Sequence, residues 1–270
     1  MKSFAYALLA LACVSPLCAQ RYILKDGRAL NQADVIVKNG RLVKALAGGG
    51  GDGSAEVSYT FSQVVRLDWP EPAEIEAAST LLASGKAAEA QEKITPVYQL
   101  FAPFQTVPGS WWSDAAVLRA RSLLAQKKIS EAEGAAREVI TAGADADDVK
   151  ASQLILAEVQ LKLNKPDIAD AMLDAILQKR ATAEIEARAL ILRGDIAYEN
   201  KQFDKALEFY LQVPVFYGSH AELLPSALLG SARAYKGYGD NGHAERAYLD
   251  LINSFPDSSE AATAKAESKL

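Results

Sequence analysis

The chain has 270 residues, of which 50% are hydrophobic and 23% charged, with 34 Asp and Glu against 29 Lys and Arg. That balance fits a globular protein and argues against nucleic acid, whose phosphates need a basic face, and against purely electrostatic adhesion to anionic lipid. Both cysteines, Cys13 and Cys18, fall within the first 19 residues, so a chain cut behind them has no disulfide, no cysteine nucleophile and no thiolate metal site.

Residues 1–19 read as an export leader. Lys2 supplies the positive start, Phe4 to Val14 the apolar core, and Ser15-Pro16-Leu17-Cys18-Ala19 the cleavage region. The cut is placed after Ala19, giving a mature start near Gln20. The alternatives are a lipoprotein and an uncleaved anchor. The residues before each cysteine fit a lipidation signal poorly, and the apolar run is short for a bilayer span. No later stretch is long and apolar enough to cross a membrane, so a soluble mature chain is expected.

Residues 20–70 predict a small antiparallel β module of four or five strands. Arg21–Leu24 and Asp34–Val37 are short β-branched or aromatic runs, and Arg41–Leu46 mixes charged and apolar residues. Asn39-Gly40 between two of these runs is a hairpin signal, because both residues tolerate positive φ. Glu56–Phe61 alternates with period two, as a half-buried strand does. The open edges of such a module need covering. The glycine run Gly48–Gly51, continued by Asp52-Gly53-Ser54, lacks the Lys-Ser/Thr of a phosphate-cradling loop and has no helix behind it, so it reads as a flexible hairpin loop. Pro70 and Pro72 close the module and prepare a helix start.

From residue 71 to 270 the period changes to that of helices. In Ala187–Leu211, Leu190, Ile191, Gly194 and Ala197 mark one buried stripe, and Phe203, Ala206, Leu207 and Tyr210 mark a second. The polar turn Glu199–Gln202 between them forces antiparallel neighbours. The environment of Ala206 recurs at Ala90, Ala132, Ala169 and Ala244, at separations of 42, 37, 37 and 38 residues. The matching small positions of the first helices are Ala78, Ala120, Ala157, Gly194 and Ala232. The longer first spacing comes from the insert Phe101–Trp112, which holds two Phe and two Trp. Trp111 and Trp112 are expected either to form a docking patch for a peptide or sugar, or to fold back and plug the first hairpin to the second.

This pattern resembles the tetratricopeptide repeat over about Pro72 to Ser268. The resemblance implies a mainly α solenoid of about five helix hairpins behind the β module, whose first helices line a groove that binds peptide segments. The closing pattern Ala247–Ser258 is similar to tetratricopeptide proteins of Gram-negative envelopes, the cell-division coordinator of the Tol-Pal system and the outer-membrane assembly lipoproteins among them. A β module stands where the coordinator family carries a coiled coil, and a good lipidation cysteine is absent, so neither specific role is carried over.

Chemistry is thinly represented. His220 and His243 stand in different repeats with no neighbouring ligand, so no metal site or cofactor is expected. Ser219 and His220 are adjacent and lack a nucleophile-elbow pattern. The cluster Asp145–Asp148 lacks the ligand spacing of a calcium loop and suits a helix start. The chain is therefore expected to be non-catalytic, an exported periplasmic or envelope scaffold for a protein or peptide partner. An envelope-glycan module using the aromatic insert and the β module is the alternative. The candidate partner-binding residues follow the small positions by one: Arg121, Glu158, Asp195 and Arg233, with Tyr198 and Tyr235 nearby. Their charges predict either ion pairing along the row, Arg121 with Glu158 and Asp195 with Arg233, or a polar ladder for a partner. As a ladder, the row predicts that Asp195→Lys and Arg233→Glu spare the fold and impair partner capture.

Overall fold

The computed structural model describes residues 20–45, 56–144 and 146–268. The leader, the glycine run and Asp145 lie outside the described residues. The chain forms two compact units. One extends to Pro72 and takes in Thr106–Trp111; the other is Ala73–Gln105 with Trp112 onward.

The first unit has six short strands among its described residues: β1 Arg21–Leu24, β2 Ala29–Asn31, β3 Val35–Lys38, β4 Arg41–Ala45, β5 Glu56–Thr60 and β6 Val64–Asp68. They make two antiparallel sheets, ordered β2-β1-β6 and β3-β4-β5. The predicted Asn-Gly turn joins β3 to β4, with φ of 51° at Asn39 and 70° at Gly40. Single 3-10 turns, Gln32–Asp34 and Phe61–Gln63, pass the chain between the sheets. The second is closed by Gln63 Oε1, which accepts from the Thr60 amide at 2.7 Å. Tyr22, Leu24, Leu30, Leu42, Tyr59, Val64 and Leu67 form the buried faces. The strand count exceeds the expected four or five because β2 has three residues, too few to show a period, and β6 buries only Val64 and Leu67.

The middle of the aromatic insert belongs to this unit. The Leu67 amide of β6 donates to Pro108 O at 2.8 Å, so the segment occupies an edge of the sheet. Gly109 follows at φ 79°, and a Cβ there would lie 2.0 Å from Leu67 O. Trp111 Nε1 donates to Trp69 O at 3.3 Å, and Trp69 meets the Tyr22 ring edge-on.

The second unit is built of helix hairpins. They are α1 Ala73–Ala83 with α2 Ala87–Phe101, α3 Trp112–Ala125 with α4 Ile129–Ala142, α5 Ala146–Lys162 with α6 Pro166–Gln178, α7 Ala183–Glu199 with α8 Phe203–Phe216, and α9 Leu224–Tyr238 with α10 Asn241–Ser254. A single helix, α11 Ser259–Ser268, follows. The repeat pattern stops at Phe255-Pro256, so α11 is not legible as a repeat; it buries Ala261 and Ala264 against Tyr248 and Leu251 and covers the end of the stack. Asp147 and Asp148 stand in the first turn of α5, as helix-starting carboxylates should. The result is a tetratricopeptide-like solenoid preceded by small antiparallel sheets.

One turn geometry repeats in all five hairpins. Gly85, Lys127, Asn164, Lys201 and Gly239 are left-handed, with φ of 75°, 63°, 58°, 57° and 94°. Each stands two residues ahead of its second helix. At Lys201 the amide donates to Tyr198 O at 2.9 Å, and the next amide, Gln202, to Ala197 O at 2.8 Å. The same pair of bonds recurs at the other four turns and satisfies the last carbonyls of each first helix. Identical turns give identical register. The small positions Ala78, Ala120, Ala157 and Ala232 and the anchors Ala90, Ala132, Ala169 and Ala244 are all buried, Ala232 and Ala244 in one core cluster. Four and seven residues past each anchor, a second buried row appears: Ile94/Val97, Ala136/Val139, Leu173/Ile176, Tyr210/Val213 and Tyr248/Leu251. Gly194 and Gly230 flank Tyr210, and a Cβ on either would come within 2.5 Å of its ring. The ring fits between α7 and α9 because both positions lack a side chain.

Two stability predictions follow from these geometries. Three of the five left-handed turn residues carry side chains, which costs roughly 1–2 kcal/mol each. Glycine there loses part of that gain to chain entropy. Lys201→Gly is therefore expected to stabilise the fold by about 0.5–1 kcal/mol in a denaturant titration, and a lower midpoint would show the turn is not left-handed. Gly109→Ala drives a side chain into the Leu67 carbonyl at a positive φ, which is expected to cost about 1–3 kcal/mol. Thermal unfolding followed by tryptophan fluorescence reads it, and a melt identical to the parent's would show that the segment is not held on β6.

Candidate functional site

The residue after each small position points out of the hairpin seam. The first helices α3, α5, α7 and α9 pack side by side, so Arg121, Glu158, Asp195 and Arg233 come to one wall. Two cavities open on it. A cavity of about 830 Å³ is lined by residues including Leu82, Leu118, Arg121, Glu158, Lys162, Glu184 and Arg188. A cavity of about 460 Å³ is lined by residues including Ile191, Asp195, Tyr198, Glu199, Tyr210, Arg233 and Glu260. Four charges picked from repeat arithmetic thus line cavities of one surface.

The expected pairs along the row, Arg121 with Glu158 and Asp195 with Arg233, attract each other through charge, while the close hydrogen-bonded partners are other residues. Arg121 Nη1 lies 3.5 Å from Glu184 Oε1, and the same oxygen accepts from Arg188 Nε at 3.0 Å. Arg121 stands on α3 and Glu184 on α7, with α5 packed between those helices, so the wall is concave enough for a side chain to reach over one helix. Arg233 Nε donates to both oxygens of Glu267 at 3.1 and 3.0 Å, and Tyr248 Oη donates to Glu267 Oε2 at 3.0 Å. Asp195 Oδ1 accepts from Tyr210 Oη at 2.7 Å. Equivalent residues on neighbouring helices are a full helix spacing apart, roughly 8–10 Å, whereas Glu184 and Glu267 reach in from other levels. Arg233→Glu is consequently not a neutral change for the fold: it would set a carboxylate against Glu267 and loosen α11.

The electrostatics divide into two kinds. Burial disfavours charge on Arg121 and pushes its pKa down, helped by the neighbouring Arg188. Burial pushes Glu158 and Asp195 up. Asp195 is open on its groove side, and the crowding that shifts it comes from the wall behind. Glu267 behaves in the opposite way: the Arg233 hydrogen bond holds it below the usual carboxylate range. Tyr248 is pushed up to about 12, first by burial and then by its bond to Glu267. The fold stabilises the Glu267 charge and opposes those of Glu158 and Asp195.

The aromatic candidates separate. Tyr198 lines the smaller cavity and meets Phe203 edge-on at 5.6 Å. Tyr235 stacks on the His243 ring at 5.2 Å and packs on the core cluster of Tyr248 and Leu251, and it lines neither cavity. Trp111 is half-buried in the first unit. Trp112 opens α3 and is 0% exposed, with Tyr98 beside it at 6.0 Å, so its ring is spent on the core and offers no surface to a peptide or sugar.

Sequence reasoning missed Arg188, Glu199, Lys162 and Ser226. A signal was present: they stand seven before or four after the row residue on the same helix, hence on the same face. Glu260 and Glu267 had no signal, because α11 carries no repeat pattern.

No protein-family model matches the chain, and no curated protein does. Among solved structures it is similar to YrrB, described as a TPR protein with an unusual peptide-binding site, at 18% identity and TM-score 0.42 over 72% of this chain and 90% of that one. It is similar to a Podosopora anserina protein of nearly identical TPR-like repeats, at 20% identity and TM-score 0.45 over 67% of this chain and 92% of that one. Pseudomonas aeruginosa PilF matches at 19% identity and TM-score 0.41 over 72% and 96%.

The two kinds of carboxylate predict opposite responses to neutralisation. Glu267 has its pKa lowered on folding, so its contribution is complete above the ordinary Glu value and is lost as pH falls through the lowered one. Glu267→Gln is expected to cost about 1–2 kcal/mol at pH 7, with the difference from the parent closing below pH 4. Asp195 has its pKa raised, so its ionisation opposes folding from the ordinary Asp value upward. Asp195→Asn keeps an acceptor for Tyr210 and is expected to melt at or above the parent temperature at pH 7, converging with it in acid. Melts across pH 3–8 check both signs.

Proposed function

We propose that this chain is a non-catalytic scaffold, exported to the cell envelope, that holds a partner polypeptide in the concave wall of its helical unit. The observation that carries the reading is the wall itself. Arg121, Glu158 and Asp195 line two cavities, and the burial that surrounds each of them opposes its charge. Charges kept at a cost to folding are the expected mark of a surface shaped for a partner that completes them. The leader pattern at Lys2, Phe4–Val14 and Ala19 supports export, and the absence of cysteine behind it suits a chain held together by its core alone.

The test is site-specific photocrosslinking in the envelope of cells that make the protein. A photoreactive residue replacing Glu199 or Lys162, both cavity-lining, is expected to capture the same polypeptide, while one replacing Glu208 on α8 captures none. Adducts confined to position 208, or the absence of polypeptide adducts from both cavity positions, would overturn the binding reading. N-terminal sequencing of the native protein is expected to begin near Gln20, and a lipid-bearing cysteine at the start would overturn cleavage after Ala19.

A further inference from the structure

The two cavities carry opposite charge, and this bears on what the groove accepts. The larger has four cations, Arg121, Lys127, Lys162 and Arg188, against three carboxylates. Its Glu184 is already shared by Arg121 and Arg188 through one oxygen. The two guanidinium groups repel each other, so an anion entering there would relieve both. The smaller cavity has three carboxylates, Asp195, Glu199 and Glu260, against Arg233 alone. Arg233 is drawn away into its bidentate pair with Glu267.

The carboxylates of the smaller cavity are aimed as well as gathered. Tyr210 Oη holds Asp195 through Oδ1 only. Ser226 Oγ donates to Glu260 Oε1 at 2.8 Å. Ile191, Leu229 and the Tyr198 ring offer an apolar lining for the stem of a long side chain whose cationic head would meet the acids.

The larger cavity is centred between α3 and α5 and the smaller between α7 and α9, about two helix spacings apart, and α7 lines both. Arg188 and Asp195 stand seven residues apart on one face of α7, about 10 Å along the helix, and the cavity centres are about 20 Å apart, so an extended chain joins the two charge sites in about three to six residues. We infer that the groove takes an extended segment of the partner that carries an acidic side chain for the Arg121–Arg188 cavity and, about three to six residues away, a Lys or Arg for the Asp195–Glu260 cavity. This rests on the proposal that the wall binds polypeptide. A single-signed segment would satisfy one cavity and be repelled by the other, so the pair of cavities selects both charges and their spacing.

The test uses labelled synthetic peptides and the whole mature chain, read by fluorescence anisotropy at two salt concentrations. The spaced peptide carries an acidic pair and a basic pair about three to six Gly/Ser residues apart, made at both ends of that range and in both orders. Controls are the acid-only, base-only and uncharged versions, and a two-signed peptide with the pairs adjacent. In one of its two orders, the spaced two-signed peptide is expected to bind at least tenfold more tightly than every control, with the advantage shrinking in high salt. Arg188→Gln is expected to bring its affinity down to that of the base-only peptide. Asp195→Asn with Glu199→Gln is expected to bring it down to that of the acid-only peptide. The two carboxylate-to-amide substitutions keep side-chain size, Arg188→Gln shortens the side chain but keeps it polar, and a melt confirms that each variant is folded. Equal binding by spaced and adjacent peptides, equal binding by single-signed controls, no binding by any peptide, or folded variants that bind like the parent would each overturn the inference. If the peptides fail while cavity positions still crosslink a polypeptide in the envelope, only the charge code falls and the scaffold stands.

Discussion

The close approach of two helices at a small residue is the constraint on which the helical unit depends. Ala78 and Ala90, Ala120 and Ala132, Ala157 and Ala169, and Ala232 and Ala244 are buried in their paired helices, where a larger side chain would force the helices apart. That contact fixes the rotation of each helix about its axis. Rotation decides which residues enter the seam, which form the second buried row, and which face out. Arg121, Glu158, Asp195 and Arg233 reach one wall because they follow the small residue by one position, roughly 100° further around the helix. The left-handed turn residue adds the axial register, and the two together make every hairpin superimpose on the next. At Gly194 the same economy of space is used differently: with Gly230 it leaves a slot for Tyr210, whose hydroxyl emerges in the groove and orients Asp195.

The wall and the end of the stack use charge in opposite ways. At the C-terminal end, Glu267 gathers Arg233 and Tyr248, and its charge is favoured by folding. This network ties α11 onto α9 and α10. In the groove, burial opposes the charges of Glu158 and Asp195, and the nearest cation for Asp195, Arg233, is bound elsewhere. One arginine therefore serves structure while the carboxylate beside it is left to the groove. A solenoid can sustain such local costs because each repeat is stabilised by its neighbours and an unfavourable residue in one wall does not disturb the seams.

In the first unit, the constraint is the sheet edge. The Leu67 amide of β6 finds its acceptor in Pro108, more than forty residues later in the chain. Gly109 is required by how closely the backbones pass, and the tryptophan behind it is anchored through Trp69 O. The insert that breaks the repeat spacing is shared out in this way: Trp111 belongs to the β unit, while Phe101, Phe104 and Trp112 are buried in the helical unit.

Much of the architecture was legible because it is periodic. The Asn39-Gly40 hairpin, the five anchors and the row one residue beyond the small positions all follow from spacing in a single chain. The partners of that row did not. Arg121 and Glu158 attract each other as the row predicts, but the close ion pair of Arg121 is with Glu184 because the wall curves, and curvature is a sum of small rotations that no single repeat displays. Arg233 found Glu267 because a helix without repeat signature folds over the end of the stack. Trp112 went to the core and Tyr235 to His243 because aromatic character is the same in a groove and in a seam. Local periods determine which face a residue occupies; only the stacked structure decides what it meets there, since that depends on side chains distant in sequence and brought near by the packing of whole helices.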